Sequence, residues 1–261
     1  MRIRAAATAL TGALALTTLT GPASGPVAAA QGPGASTRIT GVDVNGGKDI
    51  VVGSTAKKHF TMSVRAEDSA GIRDAYAWLW RGNSAEHIDG MLYPDTNEGS
   101  CADTAPGAAV CTLRFTVDPT LDLQGSNHLA GEWQLYVEAT ARDDGYASDD
   151  RYRTVRLKRA ARLATDAAPE AVRPGKPVKV TADLRRADWN KGRDAAYGGQ
   201  RVTLQRKDGG SWTSVKSLRT GAGGEATVTV RPTRTTTYRY TYGGTSTTAP
   251  TTSAPTTVAV P

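Results

Sequence analysis

Apolar and polar positions alternate with a period of two along most of the chain. Phe60, Met62 and Val64 alternate with Thr61, Ser63 and Arg65. Cys111, Leu113, Phe115 and Val117 alternate with Thr112, Arg114 and Thr116, and Trp133, Leu135 and Val137 with Gln134, Tyr136 and Glu138. Successive side chains of a strand point to opposite faces, so each run predicts a strand with one buried and one wet face. Residues 39–44, 50–52, 73–80, 88–93 and 152–157 supply further short strands. Roughly seven or eight strands in about 120 residues predict an antiparallel β-sandwich.

The pattern returns in the second half. Val178, Val180, Ala182 and Leu184 share a face, as do Val202 and Leu204, then Ala226, Val228 and Val230, then Tyr238, Tyr240 and Tyr242. Glycine-rich turn signals separate them at 208–210, 221–224 and 243–244. The connector around 158–162 is short, so the two units are expected end to end with limited freedom. The stretch 245–257 is nearly all Thr, Ser, Ala and Pro, a composition that predicts a mobile or O-glycosylatable segment.

Composition narrows the class. The chain has 261 residues, 39% hydrophobic and 22% charged, which is ordinary for globular protein. Residues 1–30 combine a basic start (Arg2, Arg4), an apolar run over 5–20 and an A-x-A site at Ala28 and Ala30, the pattern of a cleaved secretory signal peptide. No later segment is long and apolar enough for a membrane span, so a secreted, extracellular protein is expected. The net charge of +7 is unevenly spread. Residues 31–160 hold 18 Asp and Glu against 14 Lys and Arg, and residues 161–261 hold 7 against 16. That reversal, from −4 to +9, marks a domain boundary near residue 160. The basic residues are scattered rather than clustered as in a nucleic-acid arm, which leaves an acidic cell-wall polymer or simple solubility as the readings of this charge.

Cys101 and Cys111 are the two cysteines, and in an oxidising exterior they predict a disulfide that closes a hairpin loop. Enzyme signatures are missing: neither G-x-S-x-G nor H-E-x-x-H occurs, and His59, His87 and His128 lie in separate segments. Ser54 and Lys57 match S-x-x-K, but without its companion motifs the four residues predict a turn before a strand. Tyr76, Trp78 and Trp80 form an aromatic stripe on one face of a strand. Buried, one of these tryptophans would be the core Trp of an Ig-like third strand; exposed, the stripe would stack on sugar rings. A long loop between Leu184 and Gln200 offers Trp189 and Tyr197 as further ligand-binding aromatics, beside Asp188, Asn190 and Asp194.

Calcium takes six to eight oxygen ligands. Segments beginning at Asp43 and Asp95 start like EF-hand loops but carry Ser54 and Pro106 at the twelfth position. With 60–67, 73–80, 133–140 and 152–157 as strands B, C, F and G, the B–C and F–G loops share one pole. That pole gathers Glu67, Asp68, Asp143, Asp144, Asp149 and Asp150 as a candidate calcium site.

Several runs carry a family resemblance. Ala168-Pro169-Glu170, Val172-Arg173-Pro174-Gly175-Lys176, Tyr197-Gly198-Gly199-Gln200-Arg201-Val202-Thr203-Leu204-Gln205 and Thr237-Tyr238-Arg239-Tyr240 resemble a bacterial Ig-like domain of actinobacterial secreted proteins. Ile39-Thr40-Gly41-Val42, Glu67-Asp68-Ser69-Ala70-Gly71-Ile72 and Leu129-Ala130-Gly131-Glu132-Trp133 resemble the partner domain of the same two-domain family, whose members are commonly labelled calcium-binding proteins. The expected architecture is therefore all-β, with two tandem Ig-like antiparallel β-sandwich domains. A signal peptide (1–30) and a flexible N-terminus (31–37) precede an acidic, disulfide-bonded sandwich (38–159) and a basic one (160–261). Two non-enzymatic functions are expected. One is a structural or interaction protein with calcium at the acidic pole; the other is an extracellular module for carbohydrate or cell-wall polymer, using exposed aromatics and the basic second domain.

Overall fold

The computed structural model describes residues 30–31, 36–84, 87–123 and 125–261. All of the expected signal peptide except Ala30 lies outside the described residues. The chain forms β1 (Ala30–Gln31), β2 (Arg38–Val44), β3 (Ile50–Val52), β4 (Lys58–Glu67), β5 (Ile72–Ser84), β6 (His87–Leu92), β7 (Ser100–Ala105), β8 (Ala108–Val117), β9 (Gly131–Ala141) and β10 (Tyr146–Arg159). One sheet runs β2-β4-β8-β7, and the facing sheet β1-β10-β9-β5-β6, with β3 parallel to the end of β10. Their apolar faces meet in one core: Met62, Val64, Leu113 and Phe115 from one side, and Ala77, Leu79, Trp133 and Leu135 from the other. Phe60 and Phe115, opposite each other on β4 and β8, stack at 4.8 Å. Each such fully buried large side chain contributes roughly 1.5–3 kcal/mol of hydrophobic stabilisation. Cys101 and Cys111 are directly opposed on the β7–β8 hairpin and disulfide-bonded, with the turn at Pro106 and Gly107.

The second sandwich comprises β11 (Ala161–Ala168), β12 (Val178–Asp188), β13 (Arg193–Ala196), β14 (Arg201–Asp208), β15 (Ser211–Arg219), β16 (Glu225–Val230), β17 (Thr236–Tyr242), β18 (Thr251–Thr252) and β19 (Thr256–Val258). In one sheet β12 pairs with β11, β13 and β16, and in the other β17 pairs with β14, β18 and β19, with β15 at the edge. The core collects Val178, Val180, Ala182 and Leu184 against Val202, Leu204 and Tyr240, whose hydroxyl donates to the Val180 carbonyl at 2.9 Å. The threonine-rich segment expected to be mobile is instead packed. Thr248, Ala249 and Ser253 are buried, and the Ser253 hydroxyl accepts the Tyr240 N–H. Thr is β-branched and suits a strand, and Ser and Thr hydroxyls can serve a neighbour's backbone, so a low-complexity composition still builds sheet here.

No linker separates the sandwiches. β10 ends at Arg159 and β11 begins at Ala161. The long loop expected between Leu184 and Gln200 is a hairpin of β12 and β13, and its tip plugs into the first sandwich. Trp189 is 3% exposed and belongs to the first sandwich's core, with its ring N–H donating to the Gly53 carbonyl at 2.9 Å. Asn127 locks the tip: its amide donates to Asp188 at 2.8 Å, and its side-chain oxygen accepts the Trp189 N–H at 2.9 Å. Arg159 donates through Nε to the Ala187 carbonyl at 2.6 Å. Burial pushes the Arg159 guanidinium down to about 10, with repulsion from Arg186 in the same direction. Burial alone would raise the Asp188 carboxyl, but the Asn127 amide and the nearby Lys191 and Arg159 charges hold it below the usual range.

The chain's entry into the first sandwich is fastened too, which corrects the expectation of flexibility through residue 37. Thr37 is fully buried, and its hydroxyl donates to Asp68 at 2.7 Å; Ser36 donates to the same oxygen at 3.0 Å. The other Asp68 oxygen accepts the Ala70 N–H at 2.8 Å. These bonds, the backbone one first, hold the Asp68 carboxyl below its ordinary value despite its burial.

Trp189→Ala is expected to cost about 3–5 kcal/mol, the range for truncating a buried aromatic. It should also split a single thermal transition into two, as calorimetry would record; one transition at the parent temperature would contradict the junction. Asp68→Asn is expected to cost about 1–3 kcal/mol at neutral pH, because it leaves buried donors poorly paired. A lowered folded-state value gives stability that is present above the unfolded value, about pH 4, and lost as pH falls through the folded one. Denaturant titrations of parent and variant should therefore converge below about pH 4.

Candidate functional site: an aromatic face on the first sandwich

Strand β5 is paired on both sides, by β9 and β6. Its Ala75, Ala77 and Leu79 are buried in the core, so Tyr76, Trp78 and Trp80 point away from it. The core tryptophan of this sandwich is Trp133 on β9, whose ring N–H donates to the Leu129 carbonyl at 2.8 Å. The reading of Trp78 or Trp80 as that core residue is thereby corrected. The small residues Ala75 and Ala77 take the core face of β5, which leaves the large rings outside.

On the outer face the rings gather. Register places Trp78 opposite Tyr136 of β9 and Tyr76 opposite Glu138. The Trp78 ring lies 5.7 Å from Tyr93, stacked at 27°, and 5.8 Å from Tyr136 at 37°. Both distances fall within the range of favourable aromatic pairs. Tyr93 is 52% exposed and Met91 42%, and the Tyr93 hydroxyl donates to the Met91 sulfur at 3.0 Å. The Tyr136 hydroxyl donates to Glu138 at 2.7 Å, and burial together with that acceptor holds its ionisation far above the ordinary value. Burial, then the neighbouring Tyr93, raises Tyr76 as well. Trp80 ends the stripe differently: it is 3% exposed, roofed by the Arg151 guanidinium at 5.1 Å, and its N–H donates to the Asp150 carbonyl at 3.1 Å. The working face is therefore Tyr76, Trp78, Tyr93 and Tyr136, with Met91 at the margin and the Glu138 carboxylate as a polar handle. Tyr93 and Tyr136 were not singled out from sequence. Tyr136 lay on the wet face of its predicted strand, and pairing that strand with 73–80 would have found the cluster.

The acidic pole is arranged otherwise than expected. The β4–β5 and β9–β10 turns do share one end, where the Arg142 N–H donates to the Gly71 carbonyl at 2.9 Å. The β9–β10 turn is short, however, and β10 already begins at Tyr146, so Asp149 and Asp150 sit within the strand beside a bulge. The other carboxylates are engaged: Glu67 by Arg38, Asp144 by Arg73, Asp143 by the Gly145 N–H, and Asp68 as described. Arg142, which stands between the turns, pairs with Asp103 at 3.0 Å. Among the described residues no three His, Cys, Asp or Glu side chains come together in a way that could hold a metal ion. The six carboxylates of the predicted calcium site are thus not assembled as one set.

Trp189 and Tyr197 do not form a ligand surface together. Trp189 is consumed by the domain junction. Tyr197 is half-buried, with the Arg186 guanidinium 3.8 Å from its ring centroid and Tyr242 edge-on at 5.9 Å. Among the described residues no helix is long and apolar enough to cross a membrane.

No protein-family model matches the chain. Nor does any curated protein match its sequence. Among solved structures it is similar to the D00-D0 domain of intimin, at 14% identity and a TM-score of 0.29, over 83% of this chain and 98% of that one. It is also similar to fibronectin(III)-like modules of CbhA from Clostridium thermocellum (14% identity, TM-score 0.36, 83% and 90% covered). A third likeness is to the adhesin InvE of Yersinia pseudotuberculosis (14% identity, TM-score 0.28, 80% and 56% covered). Scores this low carry no argument about ligand or activity, and the fold rests on the strand pairing described above.

Proposed function

We propose that the chain is a non-catalytic extracellular interaction protein whose first sandwich holds a neutral glycan chain on its outer aromatic face. The observation that carries this reading is the Trp78 ring packed beside Tyr93 and Tyr136 on the side of β5 away from the core. The C–H face of a sugar ring docks on such rings, and Trp and Tyr supply large contact area at low conformational cost. β5 and β9, each paired on both sides, keep Trp78 and Tyr136 in place before binding, which lowers the cost of ordering them. Glu138 and the tyrosine hydroxyls offer hydrogen bonds to sugar hydroxyls. Calcium is not needed for this reading: Glu67 and Asp144 are paired with Arg38 and Arg73, and Asp143 accepts a backbone N–H.

Calorimetric titration with cellohexaose and chitohexaose tests the proposal. The parent chain is expected to bind at least one of them. Trp78→Ala is expected to weaken that binding by about tenfold or more, equivalent to about 1.4 kcal/mol. Because the ring lies outside the core, the variant should still melt in a cooperative transition. Failure of the parent to bind either oligosaccharide, or unchanged affinity in the variant, would contradict the proposal.

A further inference from the structure

A concave feature lies in the other sandwich, away from the aromatic face. Edge strand β15 in one sheet and β16 in the other flank a cleft of about 630 Å³, a volume typical of ligand sites. The register of β14 and β15 explains its opening. Leu204 faces Lys216 while Gln205 faces Ser214, so Val215 is an extra, bulged residue. A bulge bends its strand and re-aims the side chains around it. Here Val215, 41% exposed, and Lys216 both line the cleft. Residues 227–230 of β16 form the opposite wall, and the turn residues 231–234 with Thr236 and Tyr238 of β17 close the end.

The lining is strongly basic. Arg206, Lys207, Lys216, Arg231 and Arg234 border the cleft, and no carboxylate does. The adjacent Asp208 pairs with Arg234 at 2.9 Å and with Arg206 at 3.6 Å, so one carboxylate faces five cations. Among the described residues Lys207 and Lys216 form no ion pair. Like charges along one concavity repel one another and concentrate anions there. Arginine forks suit the two oxygens of a carboxylate or phosphate. Thr229 and Thr233 add hydroxyls able to donate and accept, while the Thr227 hydroxyl is shared with Thr181 and that of Thr236 donates to the Arg234 carbonyl. The lining's one aromatic residue, Tyr238, is buried in the core and offers no face on which a nucleobase would stack.

We infer that this cleft binds a segment of an acidic, hydroxyl-rich glycan polymer, its carboxylate or phosphate groups seated on the five cations and its hydroxyls on the threonines. The inference is independent of the neutral-glycan platform, which uses none of these residues.

The test uses the intact chain and three fluorescent probes of matched charge: a polygalacturonate oligomer, a glycerol-phosphate oligomer and a single-stranded oligonucleotide. Anisotropy in about 50 mM salt is expected to show binding of at least one acidic glycan, tighter than the oligonucleotide. Binding by polygalacturonate alone assigns carboxylate, by glycerol-phosphate alone phosphate, and by both the shared chemistry. Raising salt to about 200 mM should weaken it several-fold, since exposed charges are screened over about 8–10 Å. The variant Lys207→Gln, Lys216→Gln, Arg231→Gln should lose about tenfold or more, while Arg185→Gln, Arg193→Gln, Arg201→Gln, an equal charge loss outside the cleft, should lose under about twofold. Lys207→Glu, at the exposed end of β14, reads the same direction should the triple variant unfold. Equal losses in the two triple variants, tightest binding of the oligonucleotide, or no binding of either acidic glycan would overturn the assignment.

Discussion

The alternation of side chains along β5 is the constraint on which the rest of the first sandwich depends. Ala75, Ala77 and Leu79, beside Trp133 and Leu135 of the same sheet, face the β4–β8 layer, and this forces Tyr76 and Trp78 outward. A one-residue slip would bury the rings and expose Leu79, because every side chain would change face. The register is pinned where β5 begins. A bulge lies between Ile72 and Asp74, and one Asp74 oxygen accepts both the Ala75 N–H at 2.6 Å and the Gly99 N–H at 2.8 Å. The Gly99 N–H also meets the Ala75 carbonyl at 3.1 Å, and a side chain at 99 would collide with that carbonyl at 2.9 Å. A half-buried aspartate near the start of β5 thus helps fix which face of that strand presents aromatic rings.

Much of this was legible in the sequence, for a physical reason. Period-two patterning depends on local burial alone, so the strands of both sandwiches, the charge reversal near residue 160 and the Cys101–Cys111 pair could be read without knowing the topology. What failed was whatever depended on a partner. Both faces of 75–80 are apolar, and choosing between them requires knowing that the strand lies beside β9, whose outer residues are Gln134, Tyr136 and Glu138. The β4–β5 and β9–β10 turns do share one end, as topology suggests. The acidic residues dispersed because β10 starts earlier than its polar sequence suggests, and because Arg38, Arg73 and Arg142 occupy the spaces between them. Trp189 looked like a loop aromatic since its neighbours Asp188 and Asn190 are turn formers; its burial is supplied by the other domain. The segment 245–257 misled in the same way, because composition does not reveal that β17 offers its hydrogen bonds to it.

The junction gives these two surfaces a common frame. Trp189 and Asn127, with Arg159 bonded to the Ala187 carbonyl, join the sandwiches through a buried core contact and directional bonds rather than a flexible tether. Two weak sites on one stiff chain gain avidity when their spacing matches a repeating polymer and lose it when it does not. A neutral aromatic face on one domain and a cationic cleft on the other would suit a wall polymer that carries both plain and acidic sugars.

The central claim, that the outer face of β5 is the binding surface, is tested most directly by the indole N–H resonances of a nitrogen-15-labelled chain. Trp80, Trp133 and Trp189 donate their ring N–H groups to the carbonyls of Asp150, Leu129 and Gly53 at 3.1, 2.8 and 2.9 Å, and all three are buried. On titration with a neutral β-linked hexasaccharide, the account predicts a dose-dependent shift of the Trp78 resonance while those of Trp133 and Trp189 stay in place. A Trp78 signal that does not move as another tryptophan responds would contradict it.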